Sequence, residues 1–294
     1  MRKSLHVGAF AILMLGTVFG YSQTAQAVVF LTENWDTGTP PSDWPCKNFP
    51  NAYTTSTFNG WESKDYDLTT FGDAGSLSGL STTIFHSPPR SYYQHRPANN
   101  YATCDIAKYL PQPYPTNINL RFYIYFPDNW SHFNEALAGE VVHLIFLGRP
   151  TSGAGWKLDI REYVSEQWPY ECSRATQPPP NMYFFPSFAA RGTNPYDCFN
   201  LIHHLNEWQC IEIMADAAND RYSLWINGDQ KVNNVSTPVD TTIDRIVISG
   251  WNSLLRDYTG DFYIDDIVVA DSYIGCAASF DSLAPAAPTN LTVQ

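Results

Sequence analysis

In Trp156-Lys157-Leu158-Asp159-Ile160-Arg161-Glu162-Tyr163 every second residue as far as Ile160 is apolar. An extended backbone therefore sends Trp156, Leu158 and Ile160 one way and Lys157, Asp159, Arg161 and Tyr163 the other. The same division of Arg121-Phe122-Tyr123-Ile124-Tyr125-Phe126 leaves Arg121, Tyr123 and Tyr125 opposite Phe122, Ile124 and Phe126. Val142, Leu144 and Phe146 oppose His143 and Ile145, Glu212 alternates against Ile211 and Ile213, and Trp225 against Leu224 and Ile226. If these outer faces belong to one sheet, they line a cleft where rings stack on sugar C–H faces and charged groups hydrogen-bond hydroxyls or carboxylates. Tyrosines, a histidine and a tryptophan gathered on one face exceed what solubility requires. The plainer alternative is a solvated sheet with cross-strand ion pairs, such as Lys157 or Arg161 with Asp159.

The elements that must position these residues are strands. Runs rich in β-branched and aromatic residues, bounded by Gly, Pro, Asn or Asp, predict strands over 28–31, 118–126, 141–147, 155–163, 208–215, 222–227, 242–249 and 261–270. Long amphipathic helical patterns are missing, so the expected class is all-β. Asn227-Gly228 is a tight-turn pair, which makes 222–231 a hairpin and, with the strand before it, a meander. Strands of this number and length stack as two antiparallel sheets, a jelly-roll sandwich. The chain has 294 residues, and all-β folds run to roughly 200–250 residues as one domain, so a single large domain accounts for most of it. Lys and Arg total 17 against 29 Asp and Glu, a net charge of -12, which argues against a nucleic-acid binder or a polybasic membrane anchor.

Arg2 and Lys3 precede an apolar run over 7–19, and Ala25-Gln26-Ala27 offers small residues for cleavage. The pattern predicts a secretory signal peptide over 1–27 and an extracellular or periplasmic product starting at Val28. No later stretch is long and apolar enough to span a bilayer, and a monomer is expected. Beyond the signal stand Cys46, Cys104, Cys172, Cys198, Cys210 and Cys276, an even set that predicts disulfides in an oxidising compartment. The favoured pair is Cys172 with Cys198, stapling a long proline-rich loop with little strand periodicity. No Cys-x-x-Cys pair points to zinc. The domain is expected to span 28–276. Residues 277–294 read as a linker, and Ala284-Pro285-Ala286-Ala287-Pro288-Thr289-Asn290-Leu291-Thr292-Val293 resembles the entry to a fibronectin type III-like domain.

Three segments together resemble the concanavalin A-like lectin/glucanase superfamily, whose jelly roll is shared by laminin G modules, glycoside hydrolases and polysaccharide lyases. They are Phe30-Leu31-Thr32-Glu33-Asn34-Trp35-Asp36, then Trp208-Gln209-Cys210-Ile211-Glu212-Ile213 leading to Leu224-Trp225-Ile226-Asn227-Gly228, and finally Gly260-Asp261-Phe262-Tyr263-Ile264-Asp265-Asp266-Ile267-Val268-Val269. The resemblance implies polysaccharide as partner on a concave sheet, and the residues that alternation offers to bind it are Arg121, Tyr123, Tyr125, Asp159, Glu212 and Trp225. It also implies a structural Ca2+ held where a first-strand carboxylate, Glu33, meets a last-strand one, Asp265.

Retaining glucanases of this superfamily carry Glu-x-Asp-x-x-Glu. The nearest match is Lys157-Leu158-Asp159-Ile160-Arg161-Glu162, where lysine stands in the nucleophile's place. An ammonium cannot attack as a carboxylate does, so hydrolysis would need a nonstandard acid pair, with Glu212 as the substitute. The same residues fit β-elimination of a uronate polymer, as in lyases of this fold. Arg161 or Lys157 would neutralise the carboxylate, His143 would remove the C5 proton, and Tyr163 or Tyr123 would protonate the leaving oxygen. Glu140-Val141-Val142-His143 is similar to the Gln-Ile/Val-His strand of alginate-lyase-like enzymes. Their Arg-x-Glu-x-Arg and Tyr-x-Lys strands have no counterpart. The expected function is thus recognition of an extracellular or cell-wall glycan, with lyase and hydrolase activities as alternatives.

Overall fold

The computed structural model describes residues 27–41, 44, 57–64, 78–96, 105–128, 141–148, 156–162, 182–188, 206–236, 243–248 and 260–276. All regular structure there is β. The strands are β1 (Val29–Glu33), β2 (Thr57–Phe58), β3 (Trp61–Lys64), β4 (Ser78–Ser81), β5 (Ser91–Arg96), β6 (Asp105–Tyr109), β7 (Asn117–Tyr125) and β8 (Val141–Leu147). They continue as β9 (Trp156–Glu162), β10 (Met182–Phe188), β11 (Trp208–Asp216), β12 (Arg221–Ile226), β13 (Asp229–Ser236), β14 (Arg245–Ile248) and β15 (Gly260–Ala270). Two antiparallel sheets result. The eight-stranded one runs β13-β12-β11-β7-β15-β5-β4, with β1 also on β15; the seven-stranded one runs β10-β9-β8-β14-β6-β3-β2.

Alternation drives their association. On β7, Ile118, Leu120, Phe122 and Ile124 are buried in a core cluster that also holds Trp61, Ile106, Leu144, Ile246 and Ile248 of the opposite sheet. Each such side chain contributes roughly 1.5–3 kcal/mol by leaving water. One end of the core is aromatic. Trp35 lies 5.3 Å from Trp61 and 5.5 Å from Tyr92, and Trp44 lies 5.0 Å from Phe58, ring centroid to centroid. The predicted hairpin forms at Asn227 and Gly228, whose φ values of 50° and 85° suit a turn with left-handed centres. Asn227 also anchors it, its Oδ1 accepting from the Cys210 amide at 2.9 Å.

Two strands break the simple alternation. β8 carries an irregularity between His143 and Ile145, so that Ile145 pairs with Leu158, and Ile145 and Leu147 join the core. The expectation of Ile145 outside is therefore corrected, while Leu144 is in the core as expected. β15 is irregular between Asp265 and Val268, with Asp266 at φ 49°. Phe262 and Ile264 face the core before the break, Ile267 and Val269 after it. A bulge of this kind re-aims side chains. Here it turns two consecutive carboxylates toward one loop.

The stretch read as a loop without strand character contains β10, a correction with a physical cause. Pro186 sits in it, and a proline is tolerated in a strand only where no ladder hydrogen bond is needed from its nitrogen. β10 is the edge of its sheet. Cys172 and Cys198 lie outside the described residues, as do Cys46 and Cys104. The described disulfide is Cys210–Cys276, separated by 66 residues. Among the described residues no helix is long and apolar enough to cross a membrane. Residues 1–26 of the expected signal peptide and the tail 277–294 are outside the described residues.

Candidate functional site

The sequence-predicted residues divide between the sheets. Arg121, Tyr123 and Tyr125 (β7), Glu212 (β11) and Trp225 (β12) lie in the eight-stranded sheet, whereas His143 (β8) and Lys157, Asp159 and Arg161 (β9) lie in the seven-stranded one. Register sets His143 opposite Asp159 and Val141 opposite Arg161. Tyr163 is outside the described residues. The expectation of one common hollow is thus corrected: the sheets share a core between them, so the outer positions of one are on the far side of the sandwich from those of the other.

Within the eight-stranded sheet the outer face is divided again. One half is covered by residues 272–276. Both carboxylate oxygens of Glu212 accept backbone amides from this segment, Ile274 at 2.7 Å and Gly275 at 2.8 Å. Arg121 Nη1 donates to the Gly275 carbonyl at 3.0 Å, and the Tyr123 hydroxyl donates to the Cys276 carbonyl. Cys276 closes on Cys210, and Tyr273 packs on Trp225 with ring centroids 4.9 Å apart. Arg121 and Glu212 are consequently fully buried. Desolvation lowers the Arg121 pKa and raises that of Glu212; the strap amides and the Arg121 charge oppose the latter without reversing it. These residues point outward, as alternation requires, but they hold the end of the chain.

The other half is an aromatic row. Trp208 of β11 pairs with Tyr125 of β7, Tyr125 with Tyr263 of β15, Tyr263 with Tyr93 of β5, and Tyr93 with Gly79 of β4. Centroid separations along the row are 5.4, 5.9 and 6.0 Å. Trp208, Tyr125 and Tyr93 are half-buried and Tyr263 is 9% exposed. Gly79 permits the last step: a Cβ there would stand 3.2 Å from Tyr93 Cε1. Burial, then the Asp261 charge, pushes the Tyr263 phenol up to about 12 and raises Tyr93 for the same reasons. Both phenols therefore stay protonated and serve as hydrogen-bonding groups rather than bases.

A histidine backed by an aspartate stands at each border of the row. His95 pairs with Asp261, Nδ1 to Oδ1 at 2.6 Å. His86 Nδ1 lies 2.6 Å from Asp266 Oδ2, its ring stacked on Tyr123 at 3.6 Å and 17° and edge-on to Trp208 at 5.7 Å. The bulge in β15 organises this second border. Asp265 Oδ2 accepts the amides of His86 at 2.9 Å and Ser87 at 3.0 Å, and the Ser87 hydroxyl donates to Asp266 at 2.6 Å. Of the row, sequence reading found only Tyr125. Trp208, Tyr263 and Tyr93 alternate with core residues in their own strands, a signal present at each position but meaningless until pairing aligns them.

The two expected Ca2+ ligands, Glu33 and Asp265, are both engaged by N–H donors. Glu33 receives N–H donors on both oxygens: the Trp35 amide at 3.0 Å on Oε1, and on Oε2 Trp61 Nε1 at 3.1 Å and Lys108 Nζ at 3.3 Å. Asp265 receives three backbone amides, counting that of Asp266 at 2.9 Å. Three donors occupy most of the roughly four acceptor sites of each carboxylate, and Glu33 reaches Trp61 of the opposite sheet while Asp265 faces the His86 loop. Among the described residues no group of three or more His, Cys, Asp or Glu side chains is arranged to hold a metal.

No protein-family model matches the sequence, and comparison with curated proteins gives no match. Among solved structures, the chain is similar to an endo-β-1,4-glucuronan lyase from the fungus Trichoderma reesei at 10% identity and TM-score 0.46, over 74% of this chain and 94% of that one. It is similar to a sialidase at 10% identity and TM-score 0.45, over 72% of this chain and 17% of the other. The receptor-binding domain of a botulinum neurotoxin C/D mosaic serotype matches at 16% identity and TM-score 0.43, over 75% of this chain. The matched part is 46% of that toxin domain's length.

Proposed function

We propose that this chain is a secreted protein that binds an extracellular or cell-wall polysaccharide on the aromatic row. The observation that carries this reading is the register Trp208–Tyr125–Tyr263–Tyr93, which sets four rings side by side across four strands with three of them half-buried. A linear glycan presents alternating C–H faces and hydroxyl edges. Rings take the faces, and the phenols and flanking histidines take the edges. The disulfide Cys210–Cys276 is compatible with an oxidising compartment. Affinity electrophoresis in polysaccharide-containing gels tests it. Retardation by at least one polymer should fall about tenfold or more in Trp208→Ala and Tyr125→Ala, and the same retardation in both variants as in the parent would refute the assignment.

A second reading is β-elimination on the seven-stranded sheet. It is supported by the register that sets His143 across from Asp159, with Lys157 and Arg161 two residues to either side on β9. Cleavage would create a C4–C5 double bond, and so an ultraviolet absorbance that grows on incubation with alginate or glucuronan and disappears in His143→Ala.

A further inference from the structure

We infer that the glycan on the aromatic row is uncharged, and that His86 and His95 read its hydroxyls from the two borders. The inference rests on the polysaccharide reading above and names the substrate class of that same site. Each histidine has Nδ1 engaged by an aspartate at 2.6 Å, and each side chain is about one-third exposed, at 32% and 33%. A carboxylate on Nδ1 fixes both the ring's orientation and the tautomer, so Nε2 is the acceptor that remains on a neutral imidazole. A sugar hydroxyl donates to such an acceptor. A uronate carboxylate has no proton to give it.

Charge points the same way. Asp261 borders the row beside His95, and Asp266 stands behind His86. Among the described side chains near the row, Arg121 is buried beneath the strap, and Arg90, on the same loop as His86, donates to the Gly38 carbonyl at 3.0 Å. Recognition of a carboxylate ordinarily relies on an Arg or Lys presented to it. The chain's net charge of -12 adds long-range repulsion against a polyanion.

The test uses the full mature chain in gels containing either a neutral polymer (a mixed-linkage β-glucan or a xylan) or an acidic one (alginate or glucuronan). Retardation is expected by a neutral polymer and not by either acidic one. His86→Ala and His95→Ala should each weaken it about fivefold, the contribution of one hydrogen bond, with thermal melts confirming folding. Should either variant fail to fold, His→Asn, which keeps an acceptor oxygen, takes its place and should retain more affinity than His→Gly. Retardation by an acidic polymer alone, lost in Trp208→Ala, would leave the polysaccharide reading standing and overturn the uncharged ligand. Neutral binding unaffected by either histidine variant would overturn their role as readers. Retardation by no polymer of either class would remove the polysaccharide reading and this inference with it.

Discussion

Asp265 shows how a single carboxyl can be committed to architecture. It is fully buried, and desolvation pushes its pKa up to about 8 although three backbone amides favour the charged form. In the unfolded chain the same group ionises near its ordinary value of about 4. Between these values the unfolded state has lost a proton that the folded state keeps, so stability falls as the pH rises from about 4 toward 8. Asp265→Asn should flatten that part of the stability curve, measured by urea unfolding at several pH values; a slope equal to the parent's would show that Asp265 does not control it. Glu33 is committed in another way, joining β1 to Trp61 and Lys108 of the opposite sheet. Glu33→Gln should cost about 1–3 kcal/mol by leaving donors unmatched. The loss should be equal in calcium and in chelator, and a loss seen only with calcium present would restore the metal assignment.

At the scale of elements, the strap formed by residues 272–276 decides what one half of a sheet can do. Alternation along β7 and β11 brings Arg121 and Glu212 to the outer face, register places them opposite each other, and the strap then covers both. Its attachments are the disulfide, two amide–carboxylate hydrogen bonds, the Arg121 and Tyr123 hydrogen bonds to its carbonyls, and the Tyr273–Trp225 contact. Opening the link with Cys210→Ser and Cys276→Ser removes a constraint across 66 residues and should destabilise the protein by about 2–5 kcal/mol. Equilibrium unfolding of parent and double variant checks this, and coincident transitions would mean that the strap is ornamental to stability.

Across the whole molecule, the two outer faces are separated by the core. Trp61, buried between the sheets and in contact with Trp35, couples them mechanically, and Trp61→Ala should cost about 3–5 kcal/mol. Chemistry on the two faces should nevertheless be independent. Distant sites without shared partners give additive effects, so Lys157→Ala with Arg161→Ala should leave Trp208-dependent glycan retardation unchanged. Coupling between those changes would mean that one ligand touches both faces, against the sheet assignment of β9 and β11.

Period-two patterning along 118–126, 208–215 and 261–270 was enough to derive an all-β chain with these strands, because side-chain direction in a strand is a local property. The hairpin at Asn227-Gly228 was legible for the same reason. β5, with its polar Ser91-Tyr92-Tyr93-Gln94-His95-Arg96, and β10, with Pro186, were not, since a neighbour's hydrogen bonds rather than their own composition make them strands. Outward direction was likewise readable at Arg121 and Glu212, but access to solvent was not. Access depends on residues 272–276, which are distant in sequence and adjacent only after folding. Which strands lie side by side is set by nonlocal pairing. That pairing sent His143 and Lys157 to one sheet and Tyr125 to the other, and brought Trp208, Tyr125, Tyr263 and Tyr93 into a single line.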